Sequence, residues 1–515
     1  MTRVAQHEAQ SSMLNAQFSI LAAMALGLAL FYWGGALALA AAGLLIFGAL
    51  ALMRPDLGLL FVPLTAPLYL IPAALPGLRG DPSKPFMVPV HEAALLVVAA
   101  ATAAGWGWGF IKSREPRGKY RIMPAALLRE YSPQLLFLAA GIWGVLIAIA
   151  RGPALIEFRR LIAEPLLFYV LLKLLGTRRK AQGPSSSLAS MPWVLMAFVL
   201  GGALVGLLGL LQYVGVDLVP YFGAKQCFAP DGGVCSNIVV DGGVRRVLSV
   251  YGHPNNLGLY LGRVWPLAAA LALADQGRKT KDQGWHLLVF GLSSLVCLGG
   301  IVVSFSRGAW LGALAALAVL GLPFLRARFG ERAAPAVVAF GVVLAALAGL
   351  GLTVRGDVGG GSTPVRLLLW REAIGYIRLH PLGIGLDQFV QYHDPNSGRS
   401  LIDPSLIGTS EQYAAHPHNL LLDIWLRLGP LGLAAFGWLL ARFFGAARVR
   451  LHDPLVLGAL AAMTAALVHG LVDNFYFVPD LALAFWLLIA LVEYRYERMQ
   501  RYAEPSPADT RAQAR

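Results

Sequence analysis

Four short segments carry residue types that can do chemistry in an otherwise apolar chain. In Ser304-Phe305-Ser306-Arg307-Gly308 a lone arginine sits at the tip of a tight turn between two apolar stretches. A guanidinium there either is put to use at the outer interface or merely snorkels to lipid phosphates. From Arg366 onward, apolar residues at 367, 370, 374 and 377 fall on one helical face, so the segment reads as an amphipathic helix along a membrane surface. Arg366 heads it, Arg371 and Arg378 point to water or headgroups, and His380-Pro381-Leu382-Gly383 follows. His416-Pro417-His418-Asn419 opens a further apolar helix, with Gly429 and Gly432 deeper in it, where they let another helix approach closely. A lone loop histidine is usually a solvated bystander, but at a helix entrance beside a long, arginine-bearing loop His418 is the functional candidate and His416 the bystander. His469 and Asp473, four apart on one helical face, either orient a catalytic group or pack two helices together. A weaker segment, Gly252-His253-Pro254-Asn255-Asn256, reads as a helix cap by Asn255 or Asn256.

The elements that must position these residues are membrane helices. Hydrophobic residues make up 57% of the 515 and charged residues 14%, with a mean hydropathy of +0.63; soluble domains carry about 25% charged residues. The expected fold is all-α, a polytopic integral membrane protein of about fourteen transmembrane helices with a long extracytoplasmic loop carrying amphipathic helices. Spans are expected near 18–32, 35–53, 57–75, 89–111, 133–150, 162–176, 192–213, 256–274, 286–305, 308–325, 335–353, 418–441, 455–473 and 478–494. The first reads as an uncleaved helix rather than a secretory signal, since so many spans follow it.

The net charge of +14 does not point to nucleic acid, because Lys and Arg sit in short clusters between apolar spans rather than along one stripe. With the N-terminus inside, the cytoplasmic segments carry 25 of these residues and the opposite face 14 over longer loops. That bias sets the expected orientation, with both termini cytoplasmic. The chain then divides into a cytoplasmic tail (1–17), a transmembrane domain (18–494) with outer loops near 214–255 and 354–417, and a cytoplasmic tail (495–515). Cys227 and Cys235 share the first outer loop, where an oxidising compartment permits a disulfide, and two free thiols are the alternative. Residues 181–190 and 504–515 have the composition of disordered cytoplasmic segments. There is no P-loop, and Gly359 to Gly361 lack the lysine and helix context of a phosphate cradle.

Ser306-Arg307-Gly308-Ala309-Trp310, the Arg366 to Trp370 segment leading into His380-Pro381-Leu382-Gly383, and His418-Asn419 with nine residues before Gly429-x-x-Gly432 together resemble the O-antigen ligase superfamily of membrane glycosyltransferases, over about 250 to 475. That superfamily also holds O-antigen and exopolysaccharide polymerases and protein O-oligosaccharyltransferases. The resemblance implies an enzyme of the bacterial inner membrane that passes a glycan from an undecaprenyl-diphosphate carrier to a hydroxyl on the periplasmic face, as in lipopolysaccharide biosynthesis, with no cofactor and no metal. It implies that Arg307 and Arg366 bind the diphosphate and stabilise the charge growing on it, and that His418 accepts the acceptor's proton. Asn419 and Arg371 are further candidates for substrate contact, and His469 and Asp473 for support. The partners implied are the lipid-linked donor, a glycan, lipid or other hydroxyl acceptor, and the bilayer, with no nucleic acid. The complete His-Asn-x9-Gly-x-x-Gly pattern favours a ligase over a polymerase. A transporter or flippase for lipid-linked sugars is the reading from another class, but transporters place ionisable residues near mid-membrane, whereas these cluster at one face.

Overall fold

A computed structural model describes residues 2–75, 86–112, 129–178, 191–225, 238–241, 244–274, 283–332 and 362–503. A segment inside a bilayer must satisfy its own backbone polar groups, which favours helices. The helices used below are α1 (Thr2–Trp33), α2 (Leu37–Met53), α3 (Val90–Lys112), α4 (Ser132–Leu146), α5 (Arg151–Glu157), α6 (Glu164–Arg178), α7 (Met191–Tyr213), α8 (Pro254–Ala274), α9 (Gln283–Val303), α10 (Arg307–Leu320), α11 (Leu322–Phe329), α12 (Ser362–Leu379), α13 (Leu420–Ala447), α14 (Pro454–Gly470) and α15 (Pro479–Ala503).

Among the described residues, 5 helices are long and apolar enough to cross a membrane, or 6 if α10 and α11, bent by 49°, count as one span. The chain is therefore a multi-pass helical membrane protein, and among the described residues fewer helices reach full spanning length than the fourteen spans expected. The reasons are local. The expected span at 57–75 holds Pro63, Pro67 and Pro72, which lack the N–H a helix needs, and it folds instead as short helical turns ending in a strand. The span expected at 162–176 is helical from Arg151 onward, through a π-helical stretch at Phe158–Ala163 that places Arg159 and Arg160 within helix rather than in a loop. Helices α2, α4 and α14 are apolar but only 15 to 17 residues long. The span at 335–353 lies outside the described residues, as do Cys227, Cys235 and both segments read as disordered.

Two short antiparallel ribbons depart from the all-α expectation: β1 (Ala73–Leu75) with β2 (Phe86–Val88), and β3 (Ile238–Asp241) with β4 (Val244–Val247).

The chain forms two compact units. The first comprises Met1–Tyr131, Glu164–Tyr260 and Gly299–Phe305. In it α1 packs along α2, and β4 leads toward α8, with Arg246 donating to Asn255 Oδ1 at 3.1 Å. Asn255 is thus not the cap of α8; instead its backbone N–H donates to His253 Nδ1 at 3.1 Å.

The second unit comprises Ser132–Ala163, Leu261–Leu298 and Ser306–Arg515, and holds the candidate site. Its α10 lies tightly along α14, and two glycines permit the approach. A Cβ on Gly308 would fall 2.4 Å from the His469 ring, and one on Gly312 2.7 Å from the Ala465 carbonyl oxygen. Helix α13 kinks at Gly429, whose φ of 67° is in the left-handed region, and Pro430 starts the second half. What approaches Gly429 is a turn rather than the helix expected there: a Cβ would meet the Leu382 carbonyl oxygen at 2.4 Å. Two indoles clamp that turn, Trp143 Nε1 donating to Leu382 O at 3.0 Å and Trp425 Nε1 to Pro381 O at 2.9 Å.

The loop between α12 and α13 has its own apolar core, which includes Leu369, Tyr376, Ile384, Phe389, Leu406 and Leu426. Within it His393 Nδ1 lies 2.9 Å from both carboxylate oxygens of Glu372, and Tyr376 OH donates to Glu372 at 2.8 Å.

Candidate functional site

Asn419 caps α13. Its Oδ1 accepts from the Leu421 and Leu422 N–H groups at 3.0 and 3.1 Å, and its Nδ2 donates to the Leu471 carbonyl at 3.0 Å. The cap thereby joins the start of α13 to the turn after α14. Its side chain serves backbone groups, so the motif asparagine holds its neighbour in place. That neighbour, His418, is held in the left-handed region at φ 51°, which histidine enters more readily than most residues. Its N–H donates to His416 Nδ1 at 3.2 Å, and its carbonyl accepts from Trp370 Nε1 of α12 at 3.3 Å.

The turn after α14 brings Asp473 to this ring. Helix α14 ends at Gly470, so Asp473 lies beyond the helix rather than on a shared face with His469. Asn474 orders the turn by accepting from the N–H groups of Tyr476 and Phe477, both at 3.0 Å. Arg263 donates to the Phe475 carbonyl, and Tyr476 OH donates to Leu161 O at 2.6 Å.

The result is a row of alternating charge. Arg366 Nη2 lies 3.6 Å from Asp473 Oδ2, Asp473 Oδ1 lies 3.2 Å from His418 Nδ1, and His418 Nε2 lies 3.7 Å from Glu411 Oε2. Burial opposes charge on Asp473, but His418, Arg366 and His469 outweigh it and hold the carboxyl well below the usual carboxylate range. Burial likewise opposes charge on His418. Asp473 and Glu411 outweigh that, and Arg366 only partly offsets them, so the imidazole is pushed up to about 9. The two carboxylates thus favour the charged form of the ring relative to a free imidazole.

Arg307 is the first residue of α10. The preceding Ser306 caps the helix by accepting from Ala309 N, and its Oγ lies 3.3 Å from His469 Nε2. Arg307 is exposed, and the residue after it, Gly308, packs against His469 and Val472 at the end of α14. His469 is buried, packed against Gly308 and linked to Ser306, so its nearest role is to join the two helices. Arg371, five residues after Arg366, is exposed; its electrostatic partner is Asp403, and it is not brought to the row.

Glu411, His393 and Arg427 were not picked out by the sequence motifs as site residues. His393 Nε2 donates to the Glu411 carbonyl at 2.7 Å, fixing the residue that faces His418. Arg427 bonds Asp423 one turn back at 2.7 Å, pairs with Glu157, and donates to the Ala415 carbonyl at 3.1 Å, anchoring the start of the His416-Pro417-His418 segment. The Asp423–Arg427 spacing within an apolar helix was the available signal for this last cluster.

Donor atoms of His416, His418 and Asp473 lie within 4.8 Å of one another, close enough to hold a metal ion. Tertiary folding creates this set, which no local spacing announces. The set does not fit a cation well: Arg366 stands beside Asp473, and His416 Nδ1 is engaged by the His418 N–H.

No curated protein matches the chain. Residues 292–437 match the family profile described as O-Antigen ligase. That interval contains Arg307, Arg366, Glu411, His418 and Asn419, and it shows over its length the similarity to the O-antigen ligase superfamily that the motifs express.

Proposed function

We propose that the chain transfers a glycan from an undecaprenyl-diphosphate carrier to an acceptor hydroxyl on a lipid, glycan or other molecule, at the extracytoplasmic face of the inner membrane. The observation that carries this reading is the row Arg366–Asp473–His418–Glu411, in which a phosphate-binding cation adjoins proton-transfer groups at the entrance of a membrane helix. A diphosphate binds Arg366, whose planar fork suits its oxygens, and Arg307 adds the second cation. As the glycosidic bond breaks, charge grows on the diphosphate and the two arginines stabilise it. The hydroxyl attacks from the opposite face, beside His418, and inverts the anomeric centre.

An apolar groove of about 430 Å³ between α13 and α14 supports the lipid half of the reading. It runs from Leu420 and Leu471, beside the Asn419 cap, to Phe436 and Leu440, and its lining suits a prenyl chain.

The test is purified protein with a defined lipid-linked donor and a panel of hydroxyl acceptors, read by product mass. Glycan joined to a separate acceptor is expected and marks a ligase. Lengthened glycan on the carrier would mark a polymerase. Donor crossing proteoliposomes without any new glycosidic bond would replace the enzyme reading with transport. In the same assay Arg307→Ala is expected to lower turnover about 10²-fold or more at equal folded protein.

A further inference from the structure

We propose that Glu411 selects the acceptor: its carboxylate binds a second hydroxyl, adjacent on a sugar ring to the one that gives its proton to His418. The assignment rests on the transferase reading above and takes His418 as the base. The two ring nitrogens of His418 meet different neighbours. Nδ1 lies 3.2 Å from Asp473 Oδ1, and the Asp473 side chain is 3% exposed and further engaged by Arg366 and by the Asn474 N–H at 2.8 Å. A carboxylate held at Nδ1 keeps a proton there and leaves the lone pair on Nε2, so Nε2 is the nitrogen that an acceptor must reach.

Glu411 stands at that edge. Its Oε2 is 3.7 Å from Nε2, beyond hydrogen-bond reach, and its side chain is 31% exposed against 18% for His418. These are two hydrogen-bond acceptors side by side, open to the same approach, and they match two hydroxyls side by side. Adjacent hydroxyls on a sugar ring stand about 2.8 Å apart, one hydrogen-bond length, so one can meet Nε2 while the next meets Glu411 Oε2. A serine, threonine or simple lipid alcohol has a single hydroxyl and fills half of this pair. The carboxylate is carried on a fixed backbone: the Glu411 carbonyl accepts from His393 Nε2 at 2.7 Å, and its N–H donates to Thr409 Oγ1 at 3.3 Å.

In the step, the O–H bond of the reacting hydroxyl breaks and its proton passes to His418 Nε2. The oxygen lone pair forms the new bond to the anomeric carbon, and the carbon–oxygen bond to the diphosphate breaks with its electrons on the phosphate. Glu411 is unchanged by the step. It accepts a hydrogen bond from the neighbouring hydroxyl, which fixes the reacting oxygen at the imidazole and disfavours acceptors that lack the neighbour. No oxidant, reductant or co-reactant is needed.

The experiment compares wild type, Glu411→Ala and Glu411→Gln in transfer from a defined lipid-linked donor to alkyl hexosides, to their deoxy analogues lacking one hydroxyl at a time, and to an alkyl alcohol and N-acetylserine amide. Wild type is expected to lose about 10- to 10²-fold in kcat/KM when the hydroxyl beside the transferred position is removed. Glu411→Ala should fall to that level with the full sugar and no longer distinguish it from the deoxy analogue, with donor KM unchanged. Glu411→Gln, whose amide oxygen still accepts, should keep part of the preference. A purely structural role would lower transfer to every acceptor by the same factor and leave the wild-type preference in place, and that outcome overturns the assignment. It is equally overturned if wild type uses the single-hydroxyl acceptors within about threefold of the hexosides, a comparison that needs no variant to fold. In both cases glycan is still transferred and the transferase reading stands. If wild type makes no glycan product from the lipid-linked donor with any acceptor, that reading falls, and this assignment with it.

Discussion

Two histidines of the second unit have nearly the same partners and opposite surroundings. His393 has a carboxylate at Nδ1 and a carbonyl at Nε2, and lies in the loop core at 1% exposure. His418 has a carboxylate at each nitrogen, and its side chain is 18% exposed at a helix entrance. In both, acceptors on the two ring nitrogens favour the imidazolium over the cost of burial. What separates them is access. A charged pair sealed in a core can only hold structure, whereas the same pair beside an exposed carboxylate and an arginine can meet a substrate.

The comparison breaks first at Arg366, where the largest effect is expected. Arg366→Ala removes the cation beside Asp473 and should lower transfer about 10²–10³-fold, with folded yield unchanged. Lys should restore little, because a point charge lacks the bidentate fork. Turnover by a lipid-linked assay at equal membrane level decides it, and near-full activity in the Ala variant would remove Arg366 from the diphosphate site.

His393 should show the reverse pattern, a loss of stability ahead of a loss of chemistry. Removing one partner of a buried charged pair costs about 3 kcal/mol, so His393→Gln should lower the unfolding temperature in detergent by several degrees. The sign of its pH dependence follows from the raised pKa. Burial opposes the charge, and Glu372 and Glu411 outweigh it. The stabilisation is then complete below the unfolded value of about 6.5 and is lost as pH rises through the folded one. The difference in unfolding temperature between wild type and His393→Gln should therefore shrink as pH is raised. A difference that grows with pH would mean that His393 is buried neutral.

Legibility in the sequence divides along the same line. Arg307, Arg366, His418 and Asn419 stand in contiguous motifs whose chemistry is local, and all lie in the matched interval 292–437. The helical class was equally plain, because apolar runs of bilayer length have few alternatives. Span counting was not, since a run such as 57–75 reads as apolar whether or not its prolines allow one straight helix. Glu411 and His393 were illegible because their roles come from loop closure. Glu372, His393, Glu411 and His418 are spread over almost fifty positions, and no periodicity links them. Asp473 was half legible: it was paired with His469 on a helical face, while the helix ends at Gly470 and hands it to His418 instead.

The smallest expected effect is at His416, and it sharpens what the entrance segment needs. His416 looks like a bystander because Pro417 turns it away from the reacting side. Its Nδ1 nevertheless accepts the His418 N–H at 3.2 Å, a contact spanning two residues like that of an Asx turn. That bond helps hold His418 at φ 51°, a conformation whose cost is about 1 kcal/mol or more for a residue with a side chain. Losing one such hydrogen bond is worth about 0.5–1.5 kcal/mol, so His416→Ala should lower turnover by less than about tenfold, far short of His418→Ala. His416→Asn should recover most of the loss, because its Oδ1 can accept the same N–H. If His416→Asn is as impaired as His416→Ala, the imidazole itself is needed, and His416 belongs with His418 in the chemistry rather than beneath it.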